Sequence, residues 1–111
     1  MNVGSEISLA GWDIVHGEDV EWAPWGSRGN ARARILGQAD GYLVVLVDAD
    51  AGYRGDPHLH ENAEFSYVIE GTVRSQGQEL RAGDAYAAAA GSTHTDFEAL
   101  SAARYLVIFR I

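Results

Sequence analysis

Four side chains in this 111-residue chain could together hold a metal ion: His58, His60, Glu64 and His94. Imidazole nitrogens and a carboxylate are what divalent transition metals take, and two His with one carboxylate is the facial set of non-haem Fe(II) oxygenases. The spacing carries the argument. His58 and His60 are two apart, so on a strand both point to one face. Glu64 has the same parity and rejoins them if the strand runs on or bends slightly. His94 lies thirty residues beyond Glu64 and must come from another strand. Taken singly, His58 and His60 could be surface histidines, and Glu64 a solvated hairpin acid as Glu61 is expected to be. Together they favour one divalent metal ion per chain, with Fe(II) first and Zn, Mn or Ni as alternatives. His16, the fourth histidine, stands outside this set and reads as an ordinary surface or turn residue.

The elements that position these residues are framed by glycine. The first segment runs Gly52, five residues, His58-Leu59-His60, three residues, Glu64, six residues, Gly71. The second runs Gly83, then Ala89-Ala90-Gly91, two residues, His94, three residues, Glu98. On these motifs the chain resembles a cupin over about residues 40–110. The first segment matches the family's first motif without a gap. The second matches at Gly83, Gly91 and His94, with Ala89 where the family has Pro and Glu98 where it has Asn. The missing Pro is expected to loosen the turn before His94 and to leave that ligand in place. The resemblance implies an all-β fold, a jelly-roll barrel of antiparallel strands.

Strand and turn signals agree with that fold class. Thirteen glycines punctuate short apolar runs, and no stretch has a helical period. Strands are expected over 32–36, 42–47, 58–60, 65–70, 72–75, 85–88, 94–98 and 104–111. Asp40-Gly41 and Glu70-Gly71 are turn signals, and Gln76-Gly77-Gln78 is a tight connection. Residues 1–30, which hold Trp12, Trp22 and Trp25, are expected to form an N-terminal arm packing on a domain of residues 31–111.

Tyr42–Val47 is apolar on both faces, and Leu106 and Ile108 extend the second face of Arg104–Ile111. A thin barrel covers only one of these faces. A homodimer is therefore expected, with Val45 as the position where a charge would break it.

Composition limits the alternatives. The net charge is −8, from sixteen acids against eight arginines and no lysine, which disfavours phosphate backbones and hence nucleic acid. The chain has no cysteine, so neither a disulfide framework nor a thiolate metal site can form. The longest apolar run is far too short for a membrane-spanning helix, and the first residues lack a signal-peptide pattern. A cytoplasmic location is expected. Covalent catalysis is poorly supported, because no nucleophile stands in a recognisable frame.

A metal would then carry the chemistry, and the partner would be a small molecule. Parity places Ser66 and Val68 inside the barrel with Glu64, and Asp96 with His94, where Asp96 could act with Glu64 as a catalytic acid or base. Ala88 leaves space beside the metal, while Trp25 and Phe97 could close the mouth. The chain is similar to small cupins related to acetylacetone- and dihydroxyacetophenone-cleaving dioxygenases, to the cupin half of a zinc anti-sigma factor, and to polyketide cyclases. The acetylacetone-type pattern uses three His, whereas this chain adds Glu64. The resemblance implies an Fe(II) dioxygenase acting on a small dicarbonyl or hydroxyketone. The alternatives are a non-redox isomerase or cyclase and a binding or sensor module without turnover.

Overall fold

Apolar alternation in two groups of strands builds two facing sheets. The computed structural model describes residues 6–111, so the first five residues of the expected arm lie outside the described part. The strands are β1 (Glu6–Leu9), β2 (Trp12–Val15), β3 (Ala23–Pro24), β4 (Ala31–Ala39), β5 (Tyr42–Ala49), β6 (Arg54–Gly55) and β7 (His58–Leu59). They continue as β8 (Glu64–Glu70), β9 (Thr72–Ser75), β10 (Gln78–Arg81), β11 (Ala85–Ala88), β12 (Thr93–His94), β13 (Phe97–Ala99) and β14 (Ala103–Arg110). One sheet has the order β11-β8-β14-β5-β4-β3 and the other β10-β9-β13-β6, with small β1-β2 and β12-β7 pairs beside them. Every pairing is antiparallel. This is the all-β jelly-roll barrel expected from the sequence.

The core lies between the sheets. On β5, Val45, Val47 and Ala49 face inward and meet Val68 of β8, Val73 of β9, Ala99 of β13 and Tyr105 of β14. Val45, Val47, Val68 and Val73 are all below 2% exposed. Complete burial of such a side chain stabilises the fold by about 1.5–3 kcal/mol. Val45 therefore sits in the core, and a charge there would test the barrel and not a subunit contact. The outward residues of β5 are Val44 and Leu46, both half-buried.

Turn chemistry places the strands. Asp40 and Gly41 both have positive φ, 52° and 82°, the signature of the two-residue turn that joins β4 to β5. Gln76 and Gly77 repeat it, at 53° and 77°, between β9 and β10. Gly71 has a different task. It is the corner where the chain leaves the six-stranded sheet at β8 and enters the four-stranded sheet at β9. Its φ is 80°, and a side chain there would collide with the Ala102 carbonyl and lie 2.8 Å from Ala103 Cα. Only glycine meets both demands.

The N-terminal residues add strands that the sequence left unassigned. The β1-β2 hairpin lies beside β4, where Asp13 Oδ2 accepts the Gln38 N–H at 2.9 Å. β3 extends the six-stranded sheet by pairing with β4. Trp22 stacks against the Arg34 guanidinium, 4.2 Å from its ring centre. Trp12 stands 69% exposed.

Candidate metal centre

The β7-β12 pair is two residues long, and its register sets His94 directly across from His58. Cross-strand partners share a face, so the two rings meet with centroids 5.1 Å apart. His60 follows β7 with its ring 4.9 Å from that of His58 and 5.3 Å from that of His94. A bend at Glu61–Asn62 separates β7 from β8, and Glu64 opens β8 on the same side. The ligand atoms of His58, His60, Glu64 and His94 all lie within 4.8 Å of one another. Each of these four residues occupies the place the sequence spacing gave it. The backbone clamps the set: His60 N–H bonds to the Ser92 carbonyl at 2.8 Å, and Gly91 N–H to the His60 carbonyl at 2.7 Å. The Ala89–Ser92 turn is closed by Ser92 Oγ, which donates to the Ala89 carbonyl at 2.6 Å.

Hydrogen bonds fix the imidazole tautomers. The Ser92 hydroxyl proton is committed to Ala89, so Ser92 Oγ accepts from His60 Nδ1–H at 3.0 Å. His58 Nδ1–H donates to the Asp56 carbonyl at 2.9 Å. In a neutral ring so bonded, Nε2 carries the lone pair. His60 Nε2 faces Glu64 Oε1 at 3.4 Å. A buried imidazole nitrogen and carboxylate oxygen facing each other suit a shared cation. His60 Nε2 and both ring nitrogens of His94 are buried without a hydrogen-bond partner. Burial also lowers the proton affinity of His94 below the ordinary imidazole value. The donor set is three imidazoles plus one carboxylate, and it fits a divalent transition metal.

Tyr86 of β11 completes the set, and the sequence reading missed it. Its hydroxyl donates to Glu64 Oε2 at 2.5 Å. Desolvation, followed by the Glu64 carboxylate, pushes the phenol's pKa far above its usual value, so it stays protonated. The available signal was one large polar residue in the run Ala85–Ala90, on the strand that pairs Ala88 with Glu64.

The four residues border a cavity of about 630 Å³, within the range of small-molecule sites. Trp25 and Phe97 line it, as do Tyr53, Tyr105, Val107 and Phe109. Other expected pocket residues lie elsewhere. Ser66 points inward but is buried, with its hydroxyl bonded to the Leu106 carbonyl at 2.8 Å. Val68 is 1% exposed in the core between the sheets. Ala88 lines a second cavity of about 470 Å³, which also reaches His60 and His94.

Asp96 is a correction. Its carboxylate pairs with Arg74 Nε at 3.2 Å, outside the cavity, and Glu98 pairs with Arg74 and Arg54. The cause is local. The expected strand 94–98 is broken at Thr95 and Asp96, whose N–H groups bond to Gln76 Oε1 at 2.8 and 3.2 Å. The break inverts the alternation, so Phe97 and Ala99 point inward and Asp96 points out.

No helix among the described residues is long and apolar enough to cross a membrane. The sequence profile of the ChrR cupin-like domain family matches residues 11–110. The chain belongs to that family. It has no significant match among curated proteins. Among solved structures it resembles a candidate acetylacetone dioxygenase from Methylibium petroleiphilum, with a TM-score of 0.83 at 19% identity, over 93% of this chain and 79% of that one. It also resembles the polyketide cyclase RemF from Streptomyces resistomycificus, with a TM-score of 0.72 at 25% identity, over 86% and 77%. A third likeness is to a chain of the Rhodobacter sphaeroides SigE complex with the anti-sigma ChrR, with a TM-score of 0.72 at 24% identity, over 83% and 50%.

Proposed function

We propose that this member of the ChrR cupin-like family is a metal-dependent enzyme acting on a small oxygenated carbon compound, a β-dicarbonyl or hydroxyketone, with Fe(II) as its metal. The observation that carries the reading is the facing pair His60 Nε2 and Glu64 Oε1, 3.4 Å apart and bordering a ligand-sized cavity. His58, His60, Glu64 and His94 would hold the ion, and it would supply polarisation of the substrate's oxygens and activation of dioxygen. The protein's own groups do the rest. Ser92 and the Asp56 carbonyl keep His60 and His58 in the tautomer with Nε2 bare. Tyr86 holds Glu64 Oε2, leaving Oε1 toward His60. Phe97, 7% exposed and 5.5 Å from His94 between ring centroids, excludes water behind the cluster.

A second reading, a non-redox isomerase or cyclase, is favoured by Tyr86 itself. In that reading Glu64 would take the substrate's proton and give it back to the enolate carbon, with the Tyr86 hydroxyl bonded to the carboxylate throughout, and no oxidant is consumed. One experiment separates the two. Untagged protein is analysed for metal, then its Fe, Mn, Ni and Zn forms are screened with β-dicarbonyls and hydroxyketones for oxygen uptake and product. Oxygen uptake restricted to the Fe form, and lost in Glu64→Ala, supports the dioxygenase. Oxygen-independent turnover with Zn or Ni supports the second reading. No turnover with any metal leaves a binding module.

The outer face of the six-stranded sheet supports a proposal on assembly. Phe65, Tyr67 and Ile69 of β8 are 44%, 48% and 44% exposed and continue the row through Leu106 and Ile108 to Leu46 and Val44. We propose that a second copy of the chain covers this face, which makes the protein a homodimer.

A further inference from the structure

Resting on the metal-dependent reading above, we propose that the second cavity is a separate approach to the cluster. It admits a small uncharged co-reactant, dioxygen in the Fe(II) reading, while an organic substrate fills the first cavity. Three observations carry this.

The first is position. The first cavity is bordered by Trp25, next to β3, and by Gly55 of β6. The second lies between Leu80 of β10 and Ala88 of β11. Each of these four strands is the last of its sheet, so the two cavities stand at opposite seams of the barrel, with the cluster between them. His60, Tyr86 and His94 border both. Ring centroids are 5.3 Å apart for His60 and His94, and 5.9 Å apart for Tyr86 and His94. A wall packed that closely keeps a bulky compound on its own side.

The second is the lining. No Asp, Glu or Arg borders the second cavity among the described residues, in a chain where 22% of the residues are charged. The first cavity has Asp56, Glu61 and Glu64. An ion entering an uncharged passage gives up hydration that nothing replaces, whereas a neutral molecule gives up little. The third is an unmet group. His94 is 8% exposed, and neither of its ring nitrogens has a hydrogen-bond partner. The two nitrogens of an imidazole point away from each other, so one ion takes only one of them. The other nitrogen calls for a small polar molecule such as water, and Ser75 and Thr93 give the second cavity hydroxyls to hold it. A cavity that brings water to His94 also brings a neutral diatomic molecule.

The test closes each cavity in turn. The chain has no cysteine, so an introduced thiol takes a maleimide dye at one place. Ile111, 75% exposed, borders the first cavity, and Gln78, also exposed, borders the second. Ile111→Cys, Gln78→Cys and the double variant are loaded with Fe(II), labelled with a rhodamine maleimide and checked for iron content. Each is mixed anaerobically with nitric oxide, a neutral diatomic stand-in for dioxygen, and stopped flow records the iron–nitrosyl colour. The label on Ile111→Cys alone should leave most of the association rate, and the second label should then cut it by about tenfold or more. If the Ile111→Cys label alone abolishes association, or the Gln78→Cys label slows the front-labelled protein no further, the inference is overturned and the metal reading stands. Unlabelled protein that retains no iron, or whose iron gives no nitrosyl colour, overturns the Fe(II) reading and takes this inference with it.

Discussion

The Tyr86 hydroxyl donates to Glu64 Oε2 at 2.5 Å, while Glu64 Oε1 faces His60 Nε2 at 3.4 Å. One carboxylate thus has one oxygen held by a phenol and the other turned to the imidazoles. A carboxylate ligand held this way is oriented before the metal arrives.

Tyr86→Phe keeps the ring and removes only that bond. Metal affinity should fall about 10–100-fold, the usual effect of losing such a support, with little change in the metal-free melting temperature. Competition against a coloured chelator measures it. Unchanged affinity would mean that Glu64 needs no help from Tyr86.

Acid should destabilise the metal-free protein through His94. Burial lowers its folded-state proton affinity, so below about pH 6.5 the unfolded chain takes up a proton that the folded chain refuses. The contribution is intact above that pH and is lost as pH falls toward the lower folded value. Melting temperature of chelator-treated protein should therefore drop between about pH 7 and pH 5, and the drop should shrink in His94→Asn. Equal slopes in both proteins would contradict it. With metal bound, the fall should be steeper, because protons also displace the ion.

Gln76 holds the break that ends β12 after His94. Its Oε1 accepts from Thr95 N, Thr95 Oγ1 and Asp96 N. Gln76→Ala should cost about 1 kcal/mol, moderated because water can replace the acceptor at this exposed site. Gln76→Glu keeps an acceptor and should cost less. Denaturant unfolding of both variants decides the order, and reversal of that order would show that the acceptor is not what matters.

Light scattering should find a dimer in solution. Tyr67→Glu, on the outer face, should shift it to monomer without unfolding the barrel, since a dimer would bury the carboxylate unpaired. Val45→Glu should instead unfold the protein, because Val45 is 1% exposed in the core. A wild-type monomer at high concentration would remove the proposal.

The grouping of His58, His60, Glu64 and His94 was legible because its spacing is a backbone rule. Alternation put His58 beside His60, and a gentle bend preserved the phase at Glu64. The same rule failed for Asp96, because it holds only while the ladder is continuous. Gln76 captures the Thr95 and Asp96 amides, and nothing in the run Thr95-Asp96-Phe97-Glu98 announces that contact across eighteen or more residues of chain. Ser66 and Val68 were placed inside correctly by parity, but parity does not say whether an inward residue meets a cavity or packed core. Tyr86 and Ser92 were missed for another reason: each acts through a partner distant in sequence, Glu64 and His60. The two-residue strands β3 and β6 lacked enough length for a pattern, and β10, Gln78–Arg81, has Leu80 as its one apolar residue.

The two-residue β7-β12 ladder would govern how readily a bound ion could leave. It carries His58 and His94, is paired with no other strand among the described residues, and leaves Leu59 60% exposed. So short a ladder would open more readily than the barrel unfolds. Ion release would then follow the opening of a small flap, and its rate would be nearly independent of global stability. A barrel made more rigid at Val45 or Val73 would gain lifetime as a fold without gaining any hold on its metal.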